Sequence, residues 1–327
     1  MTALSILDLV PVTEGSTPAD ALRNAQDLVQ LAERLGFTRY WVAEHHNMAG
    51  IASAATAVVI GHLGQVTSRI RLGAGGIMLP NHAPLVIAEQ FGTLAELYPG
   101  RIDLGLGRAP GTDQRTAQAL RRTLRGTVDD FPQDVLELRN YLRPPQPGQA
   151  VVATPGAGTD IPLWILGSSL YGAGLAAQLG LPFAFASHFA PDYMEMAIAL
   201  YRERFQPSEQ LQAPYVMLGY NVFAADSDEQ AQLLQTSMLQ SFARLRRGQP
   251  GKMPPPLPGF AESLTAAERQ GLAEMTRCTA VGSAETVARE MREFIAATGA
   301  DELMLVSHIY DHQARRRCLE LVAGLDL

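Results

Sequence analysis

Short apolar runs alternate with longer segments of helical periodicity along the first half of this chain. Residues 4–10 form an apolar run typical of a strand, and the segment after Thr17 places apolar side chains on one face at helical spacing. Thr17 is followed by a proline and, three positions on, by an acidic residue, which is typical of a helix start; Gly36 is a typical helix end. A second apolar run, at residues 38–42, predicts the next strand.

This alternation continues and predicts eight strands. They are expected at residues 4–10, 38–42, 70–78, 101–106, 163–166, 182–186, 215–224 and 301–307. Helical segments follow most of them after short connections, which indicates a parallel sheet. Eight such units favour an α/β fold, a closed (β/α)8 TIM barrel with insertions, over an open doubly wound sheet. The length of 327 residues is compatible with one barrel domain spanning residues 1–327.

The second half of the chain is less regular. Residues 116–142 are predicted to be helical, and residues 143–162, rich in proline and glycine, are predicted to be an insertion. Asp226 and Glu229 are interpreted as a capping pair for the helix after the seventh strand. Residues 248–275 contain several prolines and no clear periodicity, so we predict a second insertion that is a lid or a disordered segment.

Composition argues against several classes of protein. Hydrophobic residues make up 47% and charged residues 18%, which supports a large core, and the net charge of −7 gives no basic face for nucleic acid. The two cysteines, Cys278 and Cys318, lack metal-type spacing and fit a reducing compartment. We identify neither a signal peptide nor an apolar run of about 18 residues that would span a membrane, so a cytoplasmic protein is expected.

Residues able to do chemistry stand directly after the predicted strands. In a barrel these positions meet at one face, where such folds carry their active sites. The candidates are Asp8, Glu44, His45, His46, Gly75, Gly76, Asn81, His82, Gly107, Arg108, Ser168, Ser169, Ser187, His188, Ser307 and His308. Four strands therefore end near a histidine.

A metal site is one interpretation of these histidines, because His45, His46, His188 and His308 with Glu44 could bind zinc. Adjacent residues of a strand point to opposite faces, however, so at most one of His45 and His46 points inward easily. No further carboxylate stands at the ends of the later strands. We therefore disfavour a metal site and predict none.

A phosphate-bearing cofactor is the second interpretation. Residues 104–108 end a strand with two glycines followed by Arg108, whose planar cation suits phosphate oxygens. Residues 167–169, Gly-Ser-Ser, end another strand where a helix begins, and free amides with hydroxyl donors hold a dianion well. Ordinary helix capping by the serines, and a surface ion pair between Arg108 and Asp113, remain open as alternatives.

The third strand contains Gly73, Gly75 and Gly76 within four residues. Glycine weakens a strand, so such positions indicate the close approach of a flat ligand or of another backbone. A bulge in the sheet is the alternative interpretation.

Four stretches, in this order and spacing, resemble the bacterial luciferase-like flavin monooxygenases, and the likeness extends along nearly the whole chain. They are WVAEHH at residues 41–46, LGAGGIMLP at 72–80, GRIDLGLGR at 100–108 and WILGSS at 164–169. The chain is most similar to small bacterial members of that family and less so to the light-emitting subunits.

The resemblance implies a (β/α)8 barrel that binds reduced FMN at its carboxyl face. It places His45 on the catalytic histidine of the family and Gly75–Gly76 on a cis peptide behind the flavin ring. The other cofactor contacts that it implies are Glu44, Gly107, Arg108, Gly167, Ser168 and Ser169, among which Arg108 and the two serines fall on the phosphate contacts. A structural role for Glu44 is equally open. Gly107 stands where the light-emitting enzymes carry a cysteine, so luminescence is not expected.

The resemblance also implies a reaction and its partners. Reduced FMN, supplied by a separate NAD(P)H:flavin reductase, would react with O2 to form a C4a-peroxyflavin that oxygenates a small organic substrate, such as an aldehyde or ketone. His45 would move a proton, His188 and Phe189 would lie on the substrate side, and residues 248–275 would close over the flavin. His46 is expected to be structural, and a homodimer is expected.

Two alternatives keep the fold and change the function. One is a deazaflavin (F420)-dependent dehydrogenase, and the other is a non-catalytic flavin-binding protein. The remaining histidines, His62 and His312, fall on predicted helices and are expected at the surface.

Overall fold

The strands and helices follow the predicted alternation. The computed structural model describes residues 2–109, 114–120 and 130–327. The strands in these ranges are β1 Ala3–Asp8, β2 Arg39–Val42, β3 Arg71–Met78, β4 Ile102–Gly107, β5 Leu163–Gly167, β6 Phe183–Phe185, β7 Val216–Ala224, β8 Thr279–Gly282 and β9 Glu302–Val306. The helices are α1 Pro18–Leu35, α2 Thr56–Gly64, α3 Pro84–Leu97, α4 Gln114–Leu120, α5 Phe131–Leu142, α6 Leu170–Leu179, α7 Met194–Arg204, α8 Asp228–Arg246, α9 Ala266–Met275, α10 Ala284–Thr298 and α11 His312–Ala323.

Eight of the strands close into a parallel barrel. Each strand from β1 to β6 pairs with the strand that follows it, and β9 closes the ring between β7 and β1. The predicted (β/α)8 barrel is therefore confirmed, and its eight strands are the eight that the hydrophobic pattern predicts.

The strand β8 was not predicted and lies outside the ring. The nine-residue β7 pairs with β6 and β9 through residues 216–221, and its last part, Asn221 to Ala224, pairs with β8. β8 follows α9 and buries only two of its four residues, so it has little local signal of its own.

Alternation along the strands separates two cores. On β2, Trp41 belongs to a cluster inside the barrel, whereas Tyr40 and Val42 pack against the surrounding helices. The inner cluster is Leu7, Trp41, Ala43, Trp164, Ala184, Met217, Met304 and Val306. Because inward positions recur every second residue, His45 continues the inward set beyond the end of β2.

Buried charges close the amino-terminal end of the barrel interior. The Arg39 guanidinium donates to Asp103 (2.8 Å) and Glu302 (2.8 Å), Arg71 donates to Asp103 (3.0 Å), and the Tyr215 hydroxyl donates to Glu302 (2.9 Å). Burial alone would lower the pKa of Arg39, but the adjoining carboxylates raise it above its ordinary value. We call these five residues the ionic plug.

The helix α8 begins differently from the prediction. Ser227, in extended conformation, is the cap, and its hydroxyl accepts a hydrogen bond from the amide of Gln230 (3.2 Å). The predicted pairing of Asp226 with Glu229 is therefore wrong, because Glu229 lies inside the first turn. The start predicted at Thr17 is confirmed, since its side chain caps α1.

The two predicted insertions have different structures. Residues 143–162 contain no helix or strand. Residues 248–275 end in α9, whose capping box joins Thr265 and Glu268, so the second half of this predicted insertion is helical. The helix predicted at 116–142 corresponds to α4 and α5, and residues 121–129 lie outside the described ranges. The helix α7 was not predicted.

Candidate active site

A cavity of about 470 Å³ opens at the carboxyl end of the barrel. Segments that follow several different strands meet around it. The predicted site residues that line it are His45, Gly75, Gly76, Gly107, Arg108, Gly167, Ser168, Ser169, His188 and Phe189. The fold therefore brings together all the residues to which the resemblance assigns a catalytic, cofactor or substrate role, except Glu44; of the other strand-end candidates, His308 also lines the cavity.

Glycines form one wall of the cavity because no side chain would fit there. A Cβ on Gly75 would lie 2.8 Å from a methyl carbon of Leu7 and 3.0 Å from the ring of Trp41. A Cβ on Gly76 would lie 2.7 Å from the carbonyl oxygen of Gly105. The Gly75–Gly76 peptide is cis, as the resemblance implied. This wall is bare backbone, which a flat ring can approach closely.

Glu44 lies behind this wall. Its buried carboxylate accepts hydrogen bonds from His46 (2.7 Å), His82 (2.9 and 3.0 Å) and the amide of Met78 (2.9 Å). Burial alone would raise the pKa of Glu44, but these hydrogen bonds, above all that from His82, lower it below its ordinary value. Adjacent residues point to opposite sides, so the inward direction of His45 turns Glu44 outward. Glu44 thus joins the segment after β2 to the end of β3, and His46 has the structural role predicted for it.

Three imidazoles that line the cavity each have a buried nitrogen without a hydrogen-bond partner in the described part of the chain. These atoms are Nδ1 of His45, Nδ1 of His188 and Nε2 of His308, and we call the three residues the cavity histidines. Burial lowers the pKa of His45 below its ordinary value. Burial and the nearby imidazoles of His308 and His45 lower the pKa of His188 to about 3. Burial and the Arg315 guanidinium lower the pKa of His308 to about 4, so all three rings are neutral at pH 7.

The chain fixes the His188 ring through its neighbours. A Cβ on Gly219 would collide with Nδ1 of His188, so the ring fits only against a glycine. The side-chain amide of Asn221 donates to the carbonyl oxygen of His188 (2.6 Å), and the Ser187 hydroxyl donates to that of Gly219 (2.7 Å). Phe189 meets the imidazole edge-on, with ring centroids 4.8 Å apart. His188 is therefore held in position although its Nδ1 has no partner.

Arg108 and the start of α6 form a donor-rich part of the wall. The side chain of Ser169, the residue before α6, makes no hydrogen bond to the helix, so helix capping by Ser169, the alternative interpretation, is not observed. Within the described residues, the amides of the first turn of α6 therefore donate no hydrogen bond to the cap side chain. The Arg108 guanidinium lies 4.0 Å from the centroid of the Tyr171 ring, which also lines the cavity. Asp113, the alternative partner of Arg108, lies outside the described residues.

Three loops form a roof above the cavity, and no sequence pattern predicted it apart from the proposed lid. Backbone hydrogen bonds join the Val12 amide to Gly50 (2.9 Å), the Met253 amide to Val12 (3.0 Å) and the Glu14 amide to Met253 (2.8 Å). Part of the predicted lid therefore contributes to the roof, and its residues that line the cavity are Pro250, Gly251, Met253 and Met275. Contacts between segments so distant along the chain leave no local pattern in the sequence.

The lining is largely apolar and rich in methionine. Six of the eleven methionines of the chain line the cavity: Met48, Met78, Met217, Met253, Met275 and Met304. Phe131, Phe242 and Leu245 add further apolar surface. Most of these residues lie on helices, loops or strand interiors, and Met78 is the last residue of β3. Sequence reasoning directed at polar groups and glycines after the strands missed all of them.

Other strand-end candidates have structural roles. Asp8 is buried and accepts hydrogen bonds from Arg315 (2.9 Å), the amide of Val10 (2.8 Å) and the Tyr40 hydroxyl. Arg315 also donates to the carbonyl oxygen of Ser307 (2.9 Å). These bonds tie the end of β1 to the end of β9 and so hold the segment that carries His308.

The remaining histidines differ from those of the cavity. His62 is exposed on α2, as predicted, and His312, the first residue of α11, is partly exposed and hydrogen-bonded to Asp27 (2.7 Å). Within the described ranges, no group of three or more His, Cys, Asp or Glu side chains is arranged to hold a metal ion. In the same ranges no helix combines the length and apolarity needed to cross a membrane.

Comparison with known proteins defines the class. The sequence model of the luciferase-like monooxygenase family matches residues 3–302. A luciferase-like monooxygenase of Escherichia coli (strain K12) is 53% identical over 319 residues, which cover 98% of this chain and 95% of that protein. The chain therefore belongs to the luciferase-like monooxygenase family, a family of oxidoreductases.

Solved structures show the same architecture. Apo-MsnO8 has a TM-score of 0.88 and 35% identity, with 99% of this chain and 98% of that chain covered. The oxygenating constituent of 3,6-diketocamphane monooxygenase from Pseudomonas putida, a type II Baeyer-Villiger monooxygenase in complex with FMN, has a TM-score of 0.73 at 16% identity, covering 99% and 97%. An F420-dependent secondary alcohol dehydrogenase has a TM-score of 0.68 at 17% identity, covering 99% of both chains. The last two likenesses concern the fold alone.

Proposed function

We propose that this chain is an FMN-dependent monooxygenase, which uses reduced flavin and O2 to oxygenate a small organic substrate of the aldehyde or ketone type. The observation that carries the proposal is the meeting of three features in one cavity. They are the neutral imidazole of His45, the bare backbone of Gly75–Gly76 and the uncapped start of α6 beside Arg108.

The residues present fit FMN. Arg108, Ser168, Ser169 and the first amides of α6 would hold the phosphate through charge-assisted hydrogen bonds. The flat ring would lie against the wall at Gly75–Gly76, where any side chain would collide with the neighbouring strands. Reduced FMN, when bound, would supply the activation of oxygen, and a separate NAD(P)H:flavin reductase would deliver it.

The protein itself would orient the flavin and the substrate, exclude water from the cavity and transfer one proton. The pKa of His45 lies below its ordinary value because the ring is buried, so a neutral imidazole is available at pH 7 to take up or give up a proton. The roof formed around Val12, Gly50 and Met253 would keep bulk water from the reacting atoms.

Equilibrium binding tests the cofactor. FMN and riboflavin, which lacks the phosphate, are titrated into the protein and into the double variant Arg108→Ala/Ser168→Ala, with Arg23→Ala, on the exposed side of α1, as the control. We expect the double variant to lose about 10- to 100-fold in FMN affinity and little in riboflavin affinity, because hydrogen bonds to charged groups contribute about 1.5–3 kcal/mol. Equal FMN binding by the double variant and the parent would contradict the phosphate site.

Turnover tests the reaction. The protein, FMN, a flavin reductase and NADH are incubated under ¹⁸O2 with a panel of aldehydes and ketones, and products are examined for one labelled oxygen atom. F420 titration in parallel separates the alternatives: tighter binding of F420 than of FMN would favour the dehydrogenase. FMN binding without label in any product would favour the non-catalytic flavin-binding protein.

We also infer a homodimer. Val58 on α2 and Leu97 on α3 expose 73% and 61% of their surface, and Val86 on α3 is also exposed. The helices α2 and α3 are neighbours in the fold. A second copy of the chain would remove these apolar side chains from water. Light scattering should give twice the mass of the chain, and Val58→Glu combined with Leu97→Glu should halve it; a monomeric parent would refute the dimer.

A further inference from the structure

The proposed reaction requires only one proton-transfer group, yet the cavity contains two further neutral imidazoles. We propose that His188 and His308 bind the carbonyl oxygen of the substrate by donating hydrogen bonds from their ring N–H groups. This inference rests on the proposed function and deepens it, because it specifies the group by which the site recognises its substrate. The substrate class is then an uncharged carbonyl compound with an apolar body.

The buried nitrogens indicate which end of each ring carries the proton. Buried N–H groups without an acceptor are rare in folded proteins, more so than acceptors without a donor. Nδ1 of His188 and Nε2 of His308 are buried and have no partner among the described residues, so both are expected to be bare. The proton then lies on the opposite nitrogen of each ring. Because both rings line the cavity, that N–H is left to face it.

Neutral rings suit a neutral ligand. Burial keeps the pKa of His188 at about 3 and that of His308 at about 4, and each ring lies close enough to another cavity histidine for a charge there to affect it. Neither side chain is therefore available at pH 7 to pair with a carboxylate as a cation. A neutral N–H group donates well to a carbonyl oxygen.

Both rings are also positioned in advance. Gly219 and Asn221 fix His188 from β7, as described above. The bond from Arg315 to the Ser307 carbonyl oxygen holds the residue before His308, and the Phe242 ring lies edge-on to the His308 ring at 6.4 Å. When a carbonyl carbon is attacked, the electron pair of its double bond moves to the oxygen. Two fixed donors at that oxygen would stabilise the negative charge.

The apolar lining of the cavity would bind the part of the substrate other than its carbonyl group. Phe189 lies beside His188, Phe242 lies beside His308, and Leu245 lines the same cavity. A carbonyl group held between the two imidazoles would leave an alkyl chain in contact with this surface, where burial of each methylene contributes about 0.8 kcal/mol.

Infrared spectroscopy tests the proposal without flavin or turnover. The probe is 2-octanone labelled with ¹³C at the carbonyl, and the measurements are its stretching frequency on the flavin-free protein and its dissociation constant. We expect a lower frequency on the protein than in hexane. His188→Phe and His308→Phe should each raise it part of the way towards the hexane value and weaken binding about two- to tenfold, as expected for loss of one hydrogen bond.

Control variants distinguish a loss of substrate recognition from a loss of folding. His62→Phe, on the exposed face of α2, should leave both measurements unchanged. Gly219→Ala keeps the imidazole but fills the space at its Nδ1, so it should displace the ring and raise the carbonyl frequency as His188→Phe does. Thermal unfolding of every variant checks that it is folded.

Two results would overturn the inference. One is a carbonyl frequency that is the same in the parent, His188→Phe and His308→Phe. The other is failure of the parent protein to bind any 2-alkanone from 2-hexanone to 2-decanone. FMN affinity, measured separately in the same proteins, should be unchanged by either substitution. Absence of FMN binding in the parent would instead refute the proposed function, and the two failures are thus distinguishable.

Discussion

The two ends of the barrel interior contain polar side chains in opposite states. In the ionic plug at the amino-terminal end, Arg39, Asp103 and Glu302 are buried and each has a charged partner. At the carboxyl end, each cavity histidine has a buried nitrogen for which the described chain provides no partner. The same strands support both arrangements, with residues 39 and 45 lying on or just after β2.

This difference in pairing distinguishes residues that stabilise the fold from residues that are suited to bind a ligand. A buried polar group without a partner costs about 1–3 kcal/mol, so folded proteins contain few of them. The ionic plug avoids this cost within the chain. The cavity histidines bear it: their buried nitrogens stay without a partner among the described residues, and the opposite nitrogen of each ring is the one left to face a ligand in the cavity.

The largest effect is expected from breaking the plug. Arg39→Met would leave Asp103 and Glu302 buried without their shared cation, so the free energy of unfolding should fall by about 3–5 kcal/mol. Guanidinium denaturation measures it. The control Arg23→Met removes an exposed ion pair with Asp20 and should cost less than about 1 kcal/mol. Equal stability of the two variants would show that the plug is not a structural element.

Substitution of a cavity histidine, at the carboxyl end, should have the opposite effects: a large loss of turnover and a small change in stability. His45→Ala should reduce turnover by about 10²- to 10⁴-fold, because it removes the proposed proton-transfer group. The free energy of unfolding should change by less than about 1 kcal/mol, since Nδ1 of His45 has no hydrogen bond to lose among the described residues. Product formation and denaturation are measured on the same preparation, with His62→Ala as the control. Unchanged turnover would remove His45 from the chemistry.

Acid should weaken the fold through the cavity histidines. The ordinary histidine pKa is 6.5, and that of folded His188 is about 3 and of His308 about 4. Between these values the unfolded chain binds protons that the folded chain does not, so stability rises with pH and is lost as the pH falls below about 6.5.

Comparison of the urea midpoints at pH 7.5 and pH 4.5 measures this loss. The double variant His188→Gln/His308→Gln should lose less than the parent, because its side chains do not titrate in this range. An equal loss in both proteins would show that other groups account for the acid sensitivity.

The smallest expected effect concerns the residues that precede two helices, one away from the cavity and one beside it. Thr17 caps α1 with its side chain, whereas Ser169 makes no such bond to α6 at the cavity. Thr17→Ala should therefore destabilise the fold by about 1 kcal/mol, and Ser169→Ala by less than about 0.5 kcal/mol. A loss at Ser169 as large as that at Thr17 would indicate that this serine acts as a structural cap.

Local patterns made the barrel predictable. Its eight strands are apolar runs bounded by helix starts and ends, and even the shortest of them, β2 and β6, are buried at every position. β8 buries only two of its four residues, so its apolar signal is weak. The helix α7 could have been found, because Met194, Ala197, Ile198 and Tyr201 are buried at helical spacing. The start of α9 could have been found, because Thr265 and Glu268 have the spacing of a capping box.

The site was predictable where it depends on strand ends and not where it depends on distant loops. His45, Arg108 and His188 follow strands directly, and the barrel brings such positions together. The placement of Glu44 follows from alternation once His45 points inward. The roof depends on hydrogen bonds among Val12, Gly50 and Met253, which belong to three separate regions of the chain and which no local pattern encodes.

The methionines that line the cavity affect how strictly the protein can select among substrates of different shape. A thioether chain has several rotamers of similar energy, so a wall built from Met48, Met253 and Met275 can change its outline at low cost. Molecules of differing shape could then bind to the same pair of imidazoles, those of His188 and His308. Replacement of these residues by leucine should narrow the range of accepted compounds without abolishing acceptance altogether, and methyl NMR of ¹³C-methionine would show the rearrangement directly.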